Sequence, residues 1–176
     1  MRDWKLPWDG GCRCDATRIR VTKPPMLTMA CHCAGCQRMS ASAYSLSEAV
    51  PADGFEVTEG APVLGGKGRD MHHFCPACMT WMFTRPPGLD FLVNVRAPVL
   101  DDHLWVMPFV ETFTGEGYAW AKTPAPHSYE TMPEMDGWQA LTAAFAAEGK
   151  RPCPVHRHPG EGRGPVPVGN FLAWLV

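Results

Sequence analysis

Apolar and polar residues alternate at several points in the first two thirds of the chain. Within 17–21, Ile19 and Val21 alternate with Arg18 and Arg20, the period of a strand with one buried face. Gly10-Gly11 before it reads as a turn, and Pro24-Pro25 ends it. Residues 27–31 predict a second strand, and 43–50 and 55–59 two more, parted by the turn Pro51-Ala-Asp-Gly54. Gly65-Gly66-Lys-Gly68 signals a loop. Strands are expected again at 71–74, 80–84 and 91–95, with Pro86-Pro87-Gly88 turning the chain between the last two. Residues 103–110 read as a further strand that Pro108 confines to an edge or breaks. One helical turn fits 34–39. A longer helix fits 138–147, where Trp138, Leu141, Ala144 and Phe145 recur at helical spacing and Gly149 supplies the cap.

The pattern therefore predicts a mainly β domain over 1–124 and a helical extension over 125–150 packed on it. Residues 151–176 are rich in Pro, Gly and Arg and poor in core-forming side chains, and predict a disordered tail. The apolar end of that tail, Phe171 to Val176, is too short for a membrane helix. Composition agrees: 18 Pro, 17 Gly and a charged fraction of 19% suit short strands and many turns. A formal charge of -2 gives no basic excess, which argues against nucleic acid as a partner. No apolar run suits a membrane span, and residues 1–11 carry no signal-like apolar core, so a cytoplasmic location is expected.

Eight cysteines in such a chain change the picture toward metal or redox chemistry, away from a disulfide framework. Seven fall in three clusters. Cys12 and Cys14 form a CxC pair at the head of a predicted strand, where residues two apart share a face. Cys75 and Cys78 form a CxxC pair, the usual knuckle spacing for zinc. Together they supply four sulfurs, enough to close a tetrahedral structural site. Cys31, Cys33 and Cys36 remain, and three ligands leave one position for water or substrate, the arrangement of a catalytic zinc. Two zinc ions per chain are expected. Alternatives stay open: a thiol redox pair, a metal or redox sensor, or a purely structural second zinc closed by a histidine in a non-catalytic binding module. His32, His72 and His73 lie in or beside the clusters, and read more readily as supporting or surface residues than as ligands. Cys153, near His156 and His158, reads as a free thiol in the tail. Six of the seven tryptophans, Trp4, Trp8, Trp81, Trp105, Trp120 and Trp138, serve a core or line a pocket.

Gly10-Gly11-Cys12-Arg-Cys14, then Cys31-His-Cys33-Ala-Gly-Cys36-Gln-Arg38, then His73-Phe74-Cys75-Pro-Ala-Cys78 resembles the glutathione-dependent formaldehyde-activating enzyme family, whose domain is shared with centromere protein V. The similarity runs from about Gly10 to Lys122 and includes all seven clustered cysteines. It implies a β-tent of small antiparallel sheets around a structural zinc on Cys12, Cys14, Cys75 and Cys78. It also implies a second zinc on Cys31, Cys33 and Cys36, and condensation of glutathione with formaldehyde to S-hydroxymethylglutathione, a carbon–sulfur lyase reaction run in reverse. Glutathione enters as co-substrate, and its carboxylates need cationic partners. Arg38 is the first candidate, with Arg18, Arg85 and Arg96 behind it. The chain departs from the family where glycine often follows each cysteine pair. Here Asp15 and Met79 stand there, and Ser40-Ala41-Ser42-Ala43 follows the second cluster. Asp tolerates a left-handed backbone moderately, Met poorly.

Overall fold

The computed structural model describes residues 4–65 and 71–152. Their strands, in chain order, are β1 (Trp8–Gly11), β2 (Arg18–Val21), β3 (Leu27–Cys31), β4 (Ser45–Pro51), β5 (Phe55–Glu59), β6 (Val63–Gly65), β7 (Met71–Phe74), β8 (Trp81–Arg85), β9 (Leu92–Arg96), β10 (Val110–Thr112) and β11 (His127–Ser128). Two helices accompany them, α1 (Ala34–Ser40) and α2 (Gly137–Glu148). The fold is mainly β, as the alternation predicts. A small sheet runs β1-β2-β5, and a larger one β11-β10-β3-β4-β9-β8-β7-β6. Pairing is antiparallel except at β10, which runs parallel to both β3 and β11.

The alternation in β2 decides the first core. Ile19 and Val21 are fully buried, while Arg18 and Arg20 reach outward to Asp101 and Asp9. Ile19, Val21 and Phe55 of the small sheet pack with Val50, Met82, Phe83, Val93 and Val95 of the larger one. A second core lies under α2, where Leu141 and Phe145 bury themselves against Leu27, Ala49, Phe109 and Val110. Each such side chain contributes about 1.5–3 kcal/mol on burial. Trp4 packs against both cores, edge-on to Trp8 and Trp105 and 5.9 Å from Phe145.

Several expectations need correction. Gly10-Gly11 is strand, not turn: β1 pairs with β2, and Gly10 bridges Leu100. A side chain at Gly10 would meet the Val99 carbonyl oxygen at 2.5 Å, so this glycine permits close backbone approach. Residues 103–109 form no strand. Val106 N–H turns back to the His103 carbonyl, Trp105 is buried with its indole N–H on the Asp102 carbonyl, and Pro108 offers no ladder donor. Only from Val110 does this segment join the sheet. Gly149 caps α2 with φ -57° rather than a left-handed backbone, its N–H on the Phe145 carbonyl. Of the loop expected at 65–68, Gly65 ends β6. The remainder of that loop, and all of the expected tail except Arg151 and Pro152, fall outside the described residues.

Candidate metal centres and an adjoining cavity

Two matching loops bring the first four cysteines together. In the loop between β1 and β2, Cys12 N–H donates to Thr17 O at 3.0 Å and Asp15 N–H to Cys12 O at 3.0 Å. In the loop between β7 and β8, Cys75 N–H donates to Thr80 O at 3.0 Å and Met79 N–H to Cys75 O at 2.9 Å. The loops are tied together by Arg13 N–H on Thr80 Oγ1 at 3.2 Å. All four sulfurs lie within 4.8 Å of one another, with Cys12 and Cys75 buried. Cys12 and Cys14 stand 3.5 Å apart, and Cys14 and Cys75 3.9 Å. A tetrahedron with Zn–S of 2.3 Å has sulfurs about 3.8 Å apart, so the donor set fits zinc. None of the seven is in a disulfide. Thr17 N–H donates to Cys12 Sγ at 3.3 Å. At Cys78, burial raises the thiol pKa, but hydrogen bonds from Thr80 outweigh it and bring the group down to about 6.

The second set sits where β3 runs into α1. Cys31 ends the strand, Cys33 caps the helix with its sulfur accepting from Cys36 N–H at 3.4 Å, and Cys36 lies in the first turn. Their three sulfurs lie within 4.8 Å of one another, and all three residues are half-buried. The hydrogen bond from Cys36 brings Cys31 down to about 5, and the same bond pushes the Cys36 thiol up. Such proton sharing between adjacent sulfurs suits a group that surrenders its protons to a metal. No fourth His, Cys, Asp or Glu joins this group among the described residues. His32, though between two of the cysteines, is 2% exposed, with Nε2 3.2 Å from Glu111 Oε2. Glu111 also accepts from Thr123 Oγ1 at 2.7 Å. Across the helix start, Glu116 accepts from Ala34 N–H at 2.7 Å, and Gln37 binds the His32 and Glu116 carbonyls. Glu111 and Glu116 carry no motif, since both come from segments about 80 residues away in sequence. His72 hydrogen-bonds Thr84 Oγ1, and His73 stacks on Phe83.

A cavity of about 440 Å³ adjoins the four-cysteine set through Cys12, while none of Cys31, Cys33 and Cys36 lines it. Cys12, Arg13, Met79 and Thr80 line it from the four-cysteine side, and Met39, Ser40, Tyr44 and Ser45 from the α1 side. Ser45 links it to the second set: it is the cross-strand partner of Cys31, and its hydroxyl bonds Cys36. Arg96 and Trp81 form part of the same wall. Arg96 is 9% exposed, its guanidinium 3.9 Å from the Trp81 ring centroid. Burial pulls its pKa down to about 10, against the opposing charges of Cys36 and Cys31, so it stays protonated near neutrality. Arg38, the first sequence candidate, is exposed at the end of α1 and is not among the cavity residues. Arg18 is committed to Asp15 and Asp101, and Arg85 lies over Phe55 and Phe83. A larger cavity of about 730 Å³, lined by Trp105, Pro124 and Lys150 among others, contains none of the clustered cysteines. Of the tryptophans, Trp8, Trp81 and Trp105 are buried while Trp120 is 77% exposed.

Comparison with known proteins adds three findings. A family model described as glutathione-dependent formaldehyde-activating enzyme matches residues 7–116, which include both cysteine sets. No curated protein matches the chain. Among solved structures, a crystal structure of a Rhodobacter sphaeroides protein is similar at 20% identity and a TM-score of 0.46, covering 53% of this chain and 88% of that one.

Proposed function

Because the chain belongs to the glutathione-dependent formaldehyde-activating enzyme family, we propose that it is a zinc-dependent carbon–sulfur lyase that joins glutathione, or another small thiol, to formaldehyde or a related aldehyde. The product is an S-hydroxymethyl adduct. The observation that carries this reading is the three-sulfur set of Cys31, Cys33 and Cys36, which has no fourth protein ligand among the described residues and adjoins a cavity through Ser45. Cys12, Cys14, Cys75 and Cys78 would hold a second, structural zinc.

Cys31, Cys33 and Cys36 would hold the zinc, which would supply a positive charge that favours the ionised form of an incoming thiol. The thiolate sulfur attacks the aldehyde carbon. The new S–C bond forms as the C=O π bond opens, and the oxygen takes up the proton that the thiol released, so no oxidant or reductant enters. The chain's own residues hold the geometry. Ser45 supports Cys36, Glu116 and Gln37 anchor the start of α1, and Glu111 holds His32 turned aside.

The test is metal content per chain for wild type and Cys33→Ala, with and without glutathione, followed by product detection with ¹³C-labelled formaldehyde. The expected result is two zinc ions in wild type and one in the variant, with glutathione perturbing only the wild type, and adduct formation lost in the variant. One zinc in both proteins with no response to glutathione would overturn the reading.

A further inference from the structure

Arg96 is a charged group whose needs the described residues leave half met. Nη1 donates to Ser45 Oγ at 3.2 Å and Nη2 to Thr84 Oγ1 at 3.4 Å, both neutral hydroxyls. These use two of the five N–H donors of a guanidinium. Nε is buried and has no hydrogen-bond partner. No Asp or Glu forms an ion pair with Arg96 among the described residues, whereas Arg18 has two such partners and Arg20 one. A buried cation in that state is costly unless a counter-charge arrives, because desolvation is not offset by hydroxyls alone. The Cys31 and Cys36 sulfurs act on it through space, with Ser45 standing between. The Trp81 face covers the guanidinium plane and keeps the fork oriented. The remaining wall is the cavity.

We propose that this cavity is a binding site for a carboxylate of the thiol substrate, with Arg96 as its anchor. The site therefore selects small thiols that bear an anionic group over neutral thiols of the same size. Arg96 holds the carboxylate, and the thiol end of the same molecule extends past Ser45 toward Cys31, Cys33 and Cys36. At about 440 Å³ the cavity is within the range that accommodates a small peptide-like ligand. The assignment deepens, and rests on, the reading of the three-cysteine set as a thiol-handling centre. It moves the anion contact from exposed Arg38 to buried Arg96.

Two probes on the zinc-loaded protein separate the claims. S-methylglutathione keeps both carboxylates but has no free thiol. Glutathione diethyl ester keeps the thiol but masks the carboxylates. Calorimetry is expected to show S-methylglutathione binding to wild type, at least tenfold more weakly to Arg96→Met, and several-fold more weakly to Arg96→Lys, which keeps charge but loses the fork. Glutathione is expected to bind at least tenfold more tightly than its diester to wild type, a comparison that needs no variant to fold. Absence of S-methylglutathione binding, equal binding by Arg96→Met, or a diester as tight as glutathione overturns the anchor. So does a loss in Arg38→Ala matching that expected of Arg96→Met. Because S-methylglutathione offers no thiolate, the outcomes with that probe are independent of whether glutathione perturbs the zinc, the result on which the lyase reading stands.

Discussion

Asp15 and Met79 share one left-handed backbone conformation, with φ of 57° and 58°, each one residue past the second cysteine of a pair. Ala41, closing α1 below the second set, has φ 48° and gives its N–H to the Gln37 carbonyl. Asp15 and Met79 are positions where the family resemblance implies glycine, and Ala41 lies in the stretch Ser40-Ala41-Ser42-Ala43 where it implies another. The loops keep the glycine conformation without the glycine. For a side-chain-bearing residue that costs about 1 kcal/mol or more.

Met79→Gly and Ala41→Gly are therefore expected to stabilise the zinc-loaded protein by about 0.5–1 kcal/mol each, part of the relief being offset by a freer unfolded chain. Met79 is 60% exposed, so little packing is lost with it. Asp15→Gly gains less, because Asp15 Oδ1 accepts from Arg18 at 3.1 Å. Urea denaturation checks the series; a lowered midpoint for Met79→Gly would count against stored strain.

Removing one cysteine from each set should have different consequences. Cys75→Ser takes a ligand from the site that ties the β1–β2 loop to the β7–β8 loop, and is expected to abolish the cooperative thermal transition and the near-ultraviolet tryptophan signal. Cys33→Ala sits at a local turn and should leave both in place while losing one zinc. Equal thermal behaviour of the two variants would contradict a structural role for the four-sulfur site.

Glu48 predicts a pH dependence of stability unconnected with the metal. It is fully buried on β4, neither carboxylate oxygen has a hydrogen-bond partner, and burial raises its pKa to about 8. The folded chain keeps a proton that the unfolded chain releases from about pH 4.5 upward. Stability therefore declines as pH rises through that window and levels off above about 8. Relative to Glu48→Gln, wild type should lose about 2 kcal/mol between pH 6 and pH 8. Denaturation at the two pH values measures it, and parallel behaviour of the two proteins would place a neutralising partner at Glu48.

Gly149→Ala tests the seat of α2. A Cβ there would meet the Phe145 ring at 2.4 Å and the Phe145 carbonyl oxygen at 2.6 Å. The substitution should cost about 1–3 kcal/mol through displaced packing, against about 3–5 kcal/mol for Phe145→Ala. A neutral Gly149→Ala would mean that the helix end relaxes freely.

The sequence is most readable where one residue pair or one period decides the outcome. The β2 alternation, the α2 face with Leu141 and Phe145, and the set of Cys31, Cys33 and Cys36 follow from local spacing, whereas the four-sulfur set requires matching one cysteine pair with another far along the chain. What spacing could not show depends on distant partners. β1 is strand because β2 and Leu100 pair with it, despite two glycines. β10 is short and gains its identity from β3, and β11 gains its own from β10. Arg96 was one of several arginines until burial on Trp81 beside a cavity set it apart, and Glu48 gave no signal because an isolated Glu on a strand ordinarily faces water.

The two sulfur sets also differ in how far apart their members lie along the chain. Cys31, Cys33 and Cys36 belong to one turn, while the other set joins Cys12 and Cys14 to Cys75 and Cys78. On a ribosome the compact set is therefore complete before Cys75 has been made. β3, which carries its first cysteine, cannot gain β10 until Val110 emerges. The local triad can thus assemble before the long loop closes, whereas the four-sulfur set has to wait for that closure.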